Sequence, residues 1–196
     1  MRIAFHTSDL NFRGTCVALY DYAHHNETLL GNRSVIITKS SVSHDEDIYV
    51  KFTRRFEVRF YNTNEELKQK IYDCDVFYII KYGKNDEPVL MSRLTAIKTC
   101  VHCVFDMSEP HGDVYAGVSQ FLCKKFGRST YVPHMISLRK ETEKDFRDNL
   151  NIPRDAIVAG RYGGYATFDL SFSPSAIEKA LMARQDLYVI LVHTPR

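Results

Sequence analysis

Residues 75–81 read Asp-Val-Phe-Tyr-Ile-Ile-Lys, an apolar run far too short to span a membrane and without the alternation of a strand that keeps one face in water. Such a run fits a strand covered on both faces. The segments around it alternate between strand-like and helix-like patterning. Residues 2–6 form a short apolar strand. In 15–30, Val17, Leu19, Tyr20, Ala23, Leu29 and Leu30 fit a helix that Gly31 closes, and 34–38 form a second strand. Further on, 57–61 predict a strand, and 64–72 a helix opened by Asn64 with acidic residues in its first turn. A helix over 88–94, strands over 99–105 and 114–119, a helix over 120–126 ending at Gly127 and a short strand over 131–133 complete the run. This order predicts parallel strands joined by right-handed crossovers, an α/β doubly wound sheet.

From Leu138 the texture changes. LRKETEKDFRDNLNIP is charged, with Phe146 and Leu150 as its one apolar pair at helical spacing, and reads as a solvated helix crossing between domains. After Pro153 the pattern restarts with a strand over 156–160, a glycine loop over 161–164, a helix over 175–184 and a strand over 187–193. Two strands and one helix cannot cover both faces of a sheet, so this is expected to be an incomplete second α/β unit. The predicted division is 1–137, a linker over 138–153, and 154–196.

The bulk properties remove some function classes. With 26 basic and 24 acidic residues the formal charge is +2, so no global field draws the chain to nucleic acid or to an anionic membrane. No run approaches spanning length, and the N-terminal apolar stretch is broken by His6 and Asp9, so a secreted or membrane-spanning chain is not expected. Five cysteines, mostly in apolar surroundings, suit reduced thiols and a cytoplasmic location, with peripheral association at a membrane left open.

Open α/β sheets bind ligands at the carboxyl ends of their strands, which directs attention to the loops there. The first, residues 7–15, offers Asn11, Arg13, Gly14 and Thr15 as acceptor-binding candidates. Gly14 allows close backbone approach, or only a tight turn, and the helix start presents free N–H groups. It is not a GxGxxG sequence, and no Walker sequence is present. The second glycine loop contributes Gly160, Arg161, Gly163 and Gly164, with Arg161 able to hold a phosphate through two hydrogen bonds. After the 99–105 strand, Asp106, Glu109, His111 and Asp113 make a polar loop that, with His102, suits a hydroxylated acceptor. Cys100-Val-His-Cys103 has half the spacing of a zinc site, but no second CxxC follows and positions three apart in a strand face opposite ways, so no metal is expected. His6 is kept as a pocket candidate, while His24, His25 and His44 look exposed.

In order along the chain, RIAFHTSDLNFRGTCVALYDYA, YAGVSQFLCKKFG with YVPHMI, and NLNIPRDAIVAGRYGG resemble the first strand, glycine loop and helix, the late N-domain elements and the interdomain crossover of the GT-B glycosyltransferases, in particular glycosyltransferase family 4. The resemblance covers most of the chain. It implies a Rossmann-like N-terminal domain that binds a carbohydrate or other hydroxylated acceptor, followed by the start of a domain that binds a nucleotide-sugar donor. It also implies sugar transfer without a bound metal or other cofactor, with Gly14 in the N-domain glycine loop and Arg161 as the first basic residue of a diphosphate clamp. His102 or His111 would be the acceptor-side, catalytic histidine. The lysine that such a clamp carries after its Gly-Arg is missing, since residues 162–170 (YGGYATFDL) contain none. The alternative is a non-catalytic GT-B-like partner subunit, a homo-oligomer or a chain completed by another at its last strand, where Tyr188, Val189 and Leu191 would be exposed.

Overall fold

The alternation is realised as an all-parallel six-stranded sheet in the order β3-β2-β1-β4-β5-β6. The structure is a computed structural model that describes residues 1–86, 94, 96–135, 146–162 and 170–192. The chain divides into two compact units, Met1–Ser137 and Leu138–Arg196. Most of the helix expected over 88–94, residues 138–145 of the expected crossover helix, Gly163 and Gly164 lie outside the described residues, and the rest of that crossover is a turn and a single 3-10 turn where a helix was expected.

In the first unit the strands are β1 (Arg2–His6), β2 (Arg33–Lys39), β3 (Glu57–Tyr61), β4 (Val76–Lys81), β5 (Lys98–Cys103) and β6 (Val114–Gly117). Helix α1 (Gly14–Thr28) joins β1 to β2, α2 (Glu46–Thr53) joins β2 to β3, α3 (Asn64–Lys70) leads to β4, and α4 (Gln120–Lys125) follows β6. Tyr131 makes only an isolated parallel bridge to Gly117, where a short strand was expected.

Successive strand residues face opposite layers, and this builds two cores. Ala4, Val35, Ile37, Phe77, Ile79, Val101 and Cys103 pack on Leu67 of α3 and Leu122 of α4. Phe5, Ile36 and Ile80 pack on Ala18, Leu19 and Tyr22 of α1 and on Ile48 and Phe52 of α2. Phe5 pairs in register with Ile36 on one side and Tyr78 on the other, and the Phe5 and Tyr78 rings lie 5.2 Å apart. Each large apolar side chain fully removed from water contributes roughly 1.5–3 kcal/mol. Burial on both faces is the reason β4 needs its unbroken apolar sequence.

Capping sets the helix starts. Thr63, and not Asn64, caps α3 by accepting from the Glu66 N–H at 3.2 Å, and the Glu66 carboxylate accepts from the Asn62 N–H at 2.8 Å. Ser119 caps α4 through the Leu122 N–H at 3.1 Å. Helix α2 has no counterpart in the sequence-based expectation, because Ile-Tyr-Val favours strand. It forms because Asp45 caps it at the Ile48 N–H and because Ile48 and Phe52, four apart, both reach the α1 layer. At the amino ends of the strands, Asp73 holds the Arg59 guanidinium at 2.7 Å and also pairs with Arg2, so the sheet is clamped at the end opposite the carboxyl edge of its strands.

The second unit has a single-turn 3-10 helix (Asp148–Leu150), β7 (Ile157–Tyr162), α5 (Ser173–Ala183) and β8 (Leu187–Val192), with β7 and β8 parallel. No helix among the described residues is long and apolar enough to cross a membrane.

Candidate functional site

The chain leaves β1 toward β2 and β3, then returns to the other side of β1 as β4, so the loops after β1 and β4 diverge. A doubly wound sheet opens a crevice at such a switch point. Here it is a cleft of about 300 Å³, within the size range of small-molecule sites. Its first wall is Thr7, Ser8, Asp9, Arg13 and Thr15 from the β1–α1 loop, with His6 at the strand end. Its second is Ile79, Ile80, Lys81, Tyr82 and Asp86 from β4 and the following loop, joined by Val104 and Phe105 after β5. A larger depression of about 490 Å³ runs along β3 and α3, but its Arg59 is already committed to Glu57 and Asp73, and it lies on the outer edge of the sheet.

The first wall is held by its own short-range hydrogen bonds. The Asn11 amide donates to Asp9 at 2.7 Å and its oxygen accepts from the Arg13 N–H at 2.8 Å, an Asx turn that leads into α1. The Thr7 hydroxyl and the Cys16 thiol both donate to the Asp9 carbonyl. His44, expected at the surface, is half-buried and ties this loop to the next. Its Nδ1 accepts from the Leu10 N–H at 3.0 Å, which leaves the proton on Nε2 to reach the Lys39 carbonyl at 2.8 Å. His24 and His25 are half-buried as well. A Cβ at Gly14 would meet nothing within 4 Å and its φ is not positive, so the turn does not require glycine there. Arg13 stands at the N-cap of α1 without a side-chain cap bond, and its guanidinium has no hydrogen-bond partner among the described residues.

His6 is 1% exposed and hydrogen-bonds Tyr61 through Nε2 at 2.6 Å, while its buried Nδ1 has no protein partner. Burial, with the charges of Lys39 and Lys81 adding to it, pushes its pKa down to about 3, so the ring is neutral. Lys81 forms an ion pair with Asp86. Burial pushes the Asp86 carboxyl up, but the hydrogen bond and charge of Lys81 outweigh it and hold that carboxyl below its ordinary value.

The residues expected after β5 take other places. His102 is 3% exposed, with Nδ1 2.7 Å from the Tyr78 hydroxyl and Nε2 2.8 Å from the Val132 carbonyl oxygen. Both ring nitrogens are engaged inside the α1 layer, and burial pushes the pKa down to about 4. His102 does not line the cleft. Asp106 accepts from the Ser108 N–H at 2.7 Å, Glu109 accepts from the Asn85 N–H at 3.0 Å, and His111 donates through Nδ1 to the Glu109 carbonyl at 2.7 Å. These bonds shape the loop, and none of the three residues lines the cleft. Asp113 accepts from the Thr99 N–H and hydroxyl at the start of β5, because a loop between parallel strands must run back to the opposite end of the sheet.

In the second unit Gly160 and Arg161 belong to β7, paired in register with Ile190 and Leu191, and not to a loop that begins at residue 161. Cys103 is in the core and Cys100 is half-buried. Burial raises both thiols, Cys103 to about 11, so both are protonated at neutral pH. Among the described residues no group of three or more His, Cys, Asp or Glu is placed to hold a metal ion.

The chain matches no protein-family model, and no curated protein matches it significantly. The cleft thus stands on its geometry. Lys81, Tyr82, Asp86 and Phe105 escaped the sequence reading, although the end of the apolar β4 run marks the same carboxyl edge that singled out the first loop.

Proposed function

We propose that this chain is the acceptor-side part of a glycosyltransferase that moves a sugar from a nucleotide-diphosphate donor to a hydroxylated acceptor. The observation that carries the reading is the cleft at the β1–β4 switch point, where hydroxyls, two carboxylates and two cationic groups line about 300 Å³. That mixture suits a ligand rich in hydroxyl groups, since each can both donate and accept. In this reading the acceptor lies against Thr7, Ser8, Asp9 and Thr15, and the helix start behind Gly14 contributes free N–H groups. Arg161 serves the donor diphosphate by charge-assisted hydrogen bonding. The resemblance of the opening segment and of NLNIPRDAIVAGRYGG to the GT-B enzymes supports the same assignment.

Calorimetric titration with UDP, GDP and their sugar conjugates tests it, with Arg161→Ala as the comparison. Donor binding that is lost in the variant supports the transferase. A folded chain that binds no donor overturns the donor role of Arg161 and leaves an acceptor-binding or non-catalytic partner half. That second reading draws on the exposed apolar side chains of the second unit, Phe172 at 67%, Met182 at 85% and Leu191 at 39%. Of the strand residues expected to be exposed, Tyr188 and Val189 are half-buried.

A further inference from the structure

Two aromatic rings that line the cleft are left largely in water. Tyr82 is 55% exposed and Phe105 63% exposed, yet their ring centroids lie 5.5 Å apart at an interplanar angle of 39°. They follow neighbouring strands, β4 and β5, and both line the cleft. Large apolar side chains left side by side in water at a concave site mark a binding surface.

The backbone beneath the pair is tied together across the two loops. The N–H groups of Phe105 and Asp106 both donate to the Tyr82 carbonyl at 3.0 Å, and the Tyr115 hydroxyl donates to the Gly83 carbonyl at 2.8 Å. Gly83 has φ +133°, and a Cβ there would lie 1.8 Å from the Asp106 carbonyl oxygen, so the two loops are in backbone contact. A pre-organised platform loses little conformational entropy when a ligand settles on it.

We propose that Tyr82 and Phe105 form a stacking platform for one face of a carbohydrate ring, with the ring's hydroxyls turned to the polar wall of Ser8, Asp9, Arg13 and Thr15. The proposal rests on reading the cleft as a site for a hydroxylated ligand, and it adds the element that recognises the ring. An aromatic face carries negative partial charge and attracts the C–H groups on a sugar's apolar face. Across from it, the hydroxyls of Ser8 and Thr15 and the guanidinium of Arg13 have no protein partner among the described residues. One Asp9 carboxylate oxygen is taken by Asn11. A lipid chain would strip water from these groups and return nothing. A nucleobase would leave most of a wall built for hydroxyls around a ring unused.

The test uses the whole chain, which contains no tryptophan, so Phe105→Trp both preserves the platform and introduces a single tryptophan as a selectively excited reporter. The probes are neutral methyl glycosides of glucose, galactose, mannose and N-acetylglucosamine, with uridine and adenosine as comparators, followed by saturation-transfer NMR on the wild type and by fluorescence on Phe105→Trp. At least one glycoside is expected to bind. Its affinity is expected to fall about tenfold or more in Tyr82→Ala and Phe105→Ala and to stay within about threefold in Tyr82→Phe and Phe105→Trp. Both side chains are more than half exposed, so truncation leaves the core intact, which circular dichroism verifies. Glycoside binding that is indifferent to both alanine variants, preference for the nucleosides, or no glycoside binding by the folded chain overturns the platform. Arg161-dependent donor binding is read separately, so either idea can fail while the other stands.

Discussion

The imidazole Nε2 of His6 lies 2.6 Å from the phenol oxygen of Tyr61, a contact made across β2 between the ends of β1 and β3. It places a neutral histidine beneath the floor of the cleft, with its second nitrogen unpaired and buried. The consequence is a pH-dependent stability whose sign is fixed.

His6 ionises near 6.5 when unfolded and near 3 when folded, so between these values the unfolded chain holds the extra proton. The stabilisation is complete above about pH 6.5 and is lost as the pH falls toward 3. His102, pushed down to about 4, acts in the same direction over most of that window. Each histidine contributes a slope of up to about 1.4 kcal/mol per pH unit. Urea unfolding at pH 7, 6 and 5 measures the combined slope, and His6→Gln is expected to remove one histidine's share. An unchanged slope in that variant would contradict a buried neutral imidazole.

His102 and His111 separate by the same kind of measurement. His102→Ala leaves the Tyr78 hydroxyl and the Val132 carbonyl without their partner, a loss of roughly 1–3 kcal/mol of stability. His111→Ala removes one loop hydrogen bond at a half-buried position and is expected to cost about 1 kcal/mol or less. Thermal and urea unfolding of both variants check the ranking. A stable His102→Ala protein that has lost ligand affinity would return His102 to the binding site.

Gly83→Ala combines a strained dihedral, worth roughly 1–3 kcal/mol, with a steric overlap against the Asp106 backbone. The loops after β4 and β5 must separate to relieve it, and the Tyr82–Phe105 pair separates with them. The expected result is a lower melting temperature together with a changed chemical environment for both rings, read by NMR. Gly14→Ala is the contrasting variant, since nothing occupies the space a methyl group would take there, and its expected stability change is within about 0.5 kcal/mol.

Strand positions, the parallel doubly wound architecture and the restart after Pro153 were legible in the chain because burial on both faces of a sheet imposes apolar runs, and crossovers impose the spacing between them. The loop that forms the first wall of the cleft was legible for the same reason, as the segment that leaves the carboxyl end of β1. Helix α2 was not, since its Ile-Tyr-Val sequence favours strand and only the α1 layer it packs against decides for helix. Nor were the roles of His102, Asp106 and Glu109. A polar residue near a strand end reads alike whether it faces a ligand or a backbone group, and that depends on neighbours far away in sequence, such as Tyr78 and Val132 around His102 and Asn85 beside Glu109. Sheet order brought the ends of β1, β4 and β5 together into one cleft, because strand adjacency is set by long-range packing that local patterning does not encode.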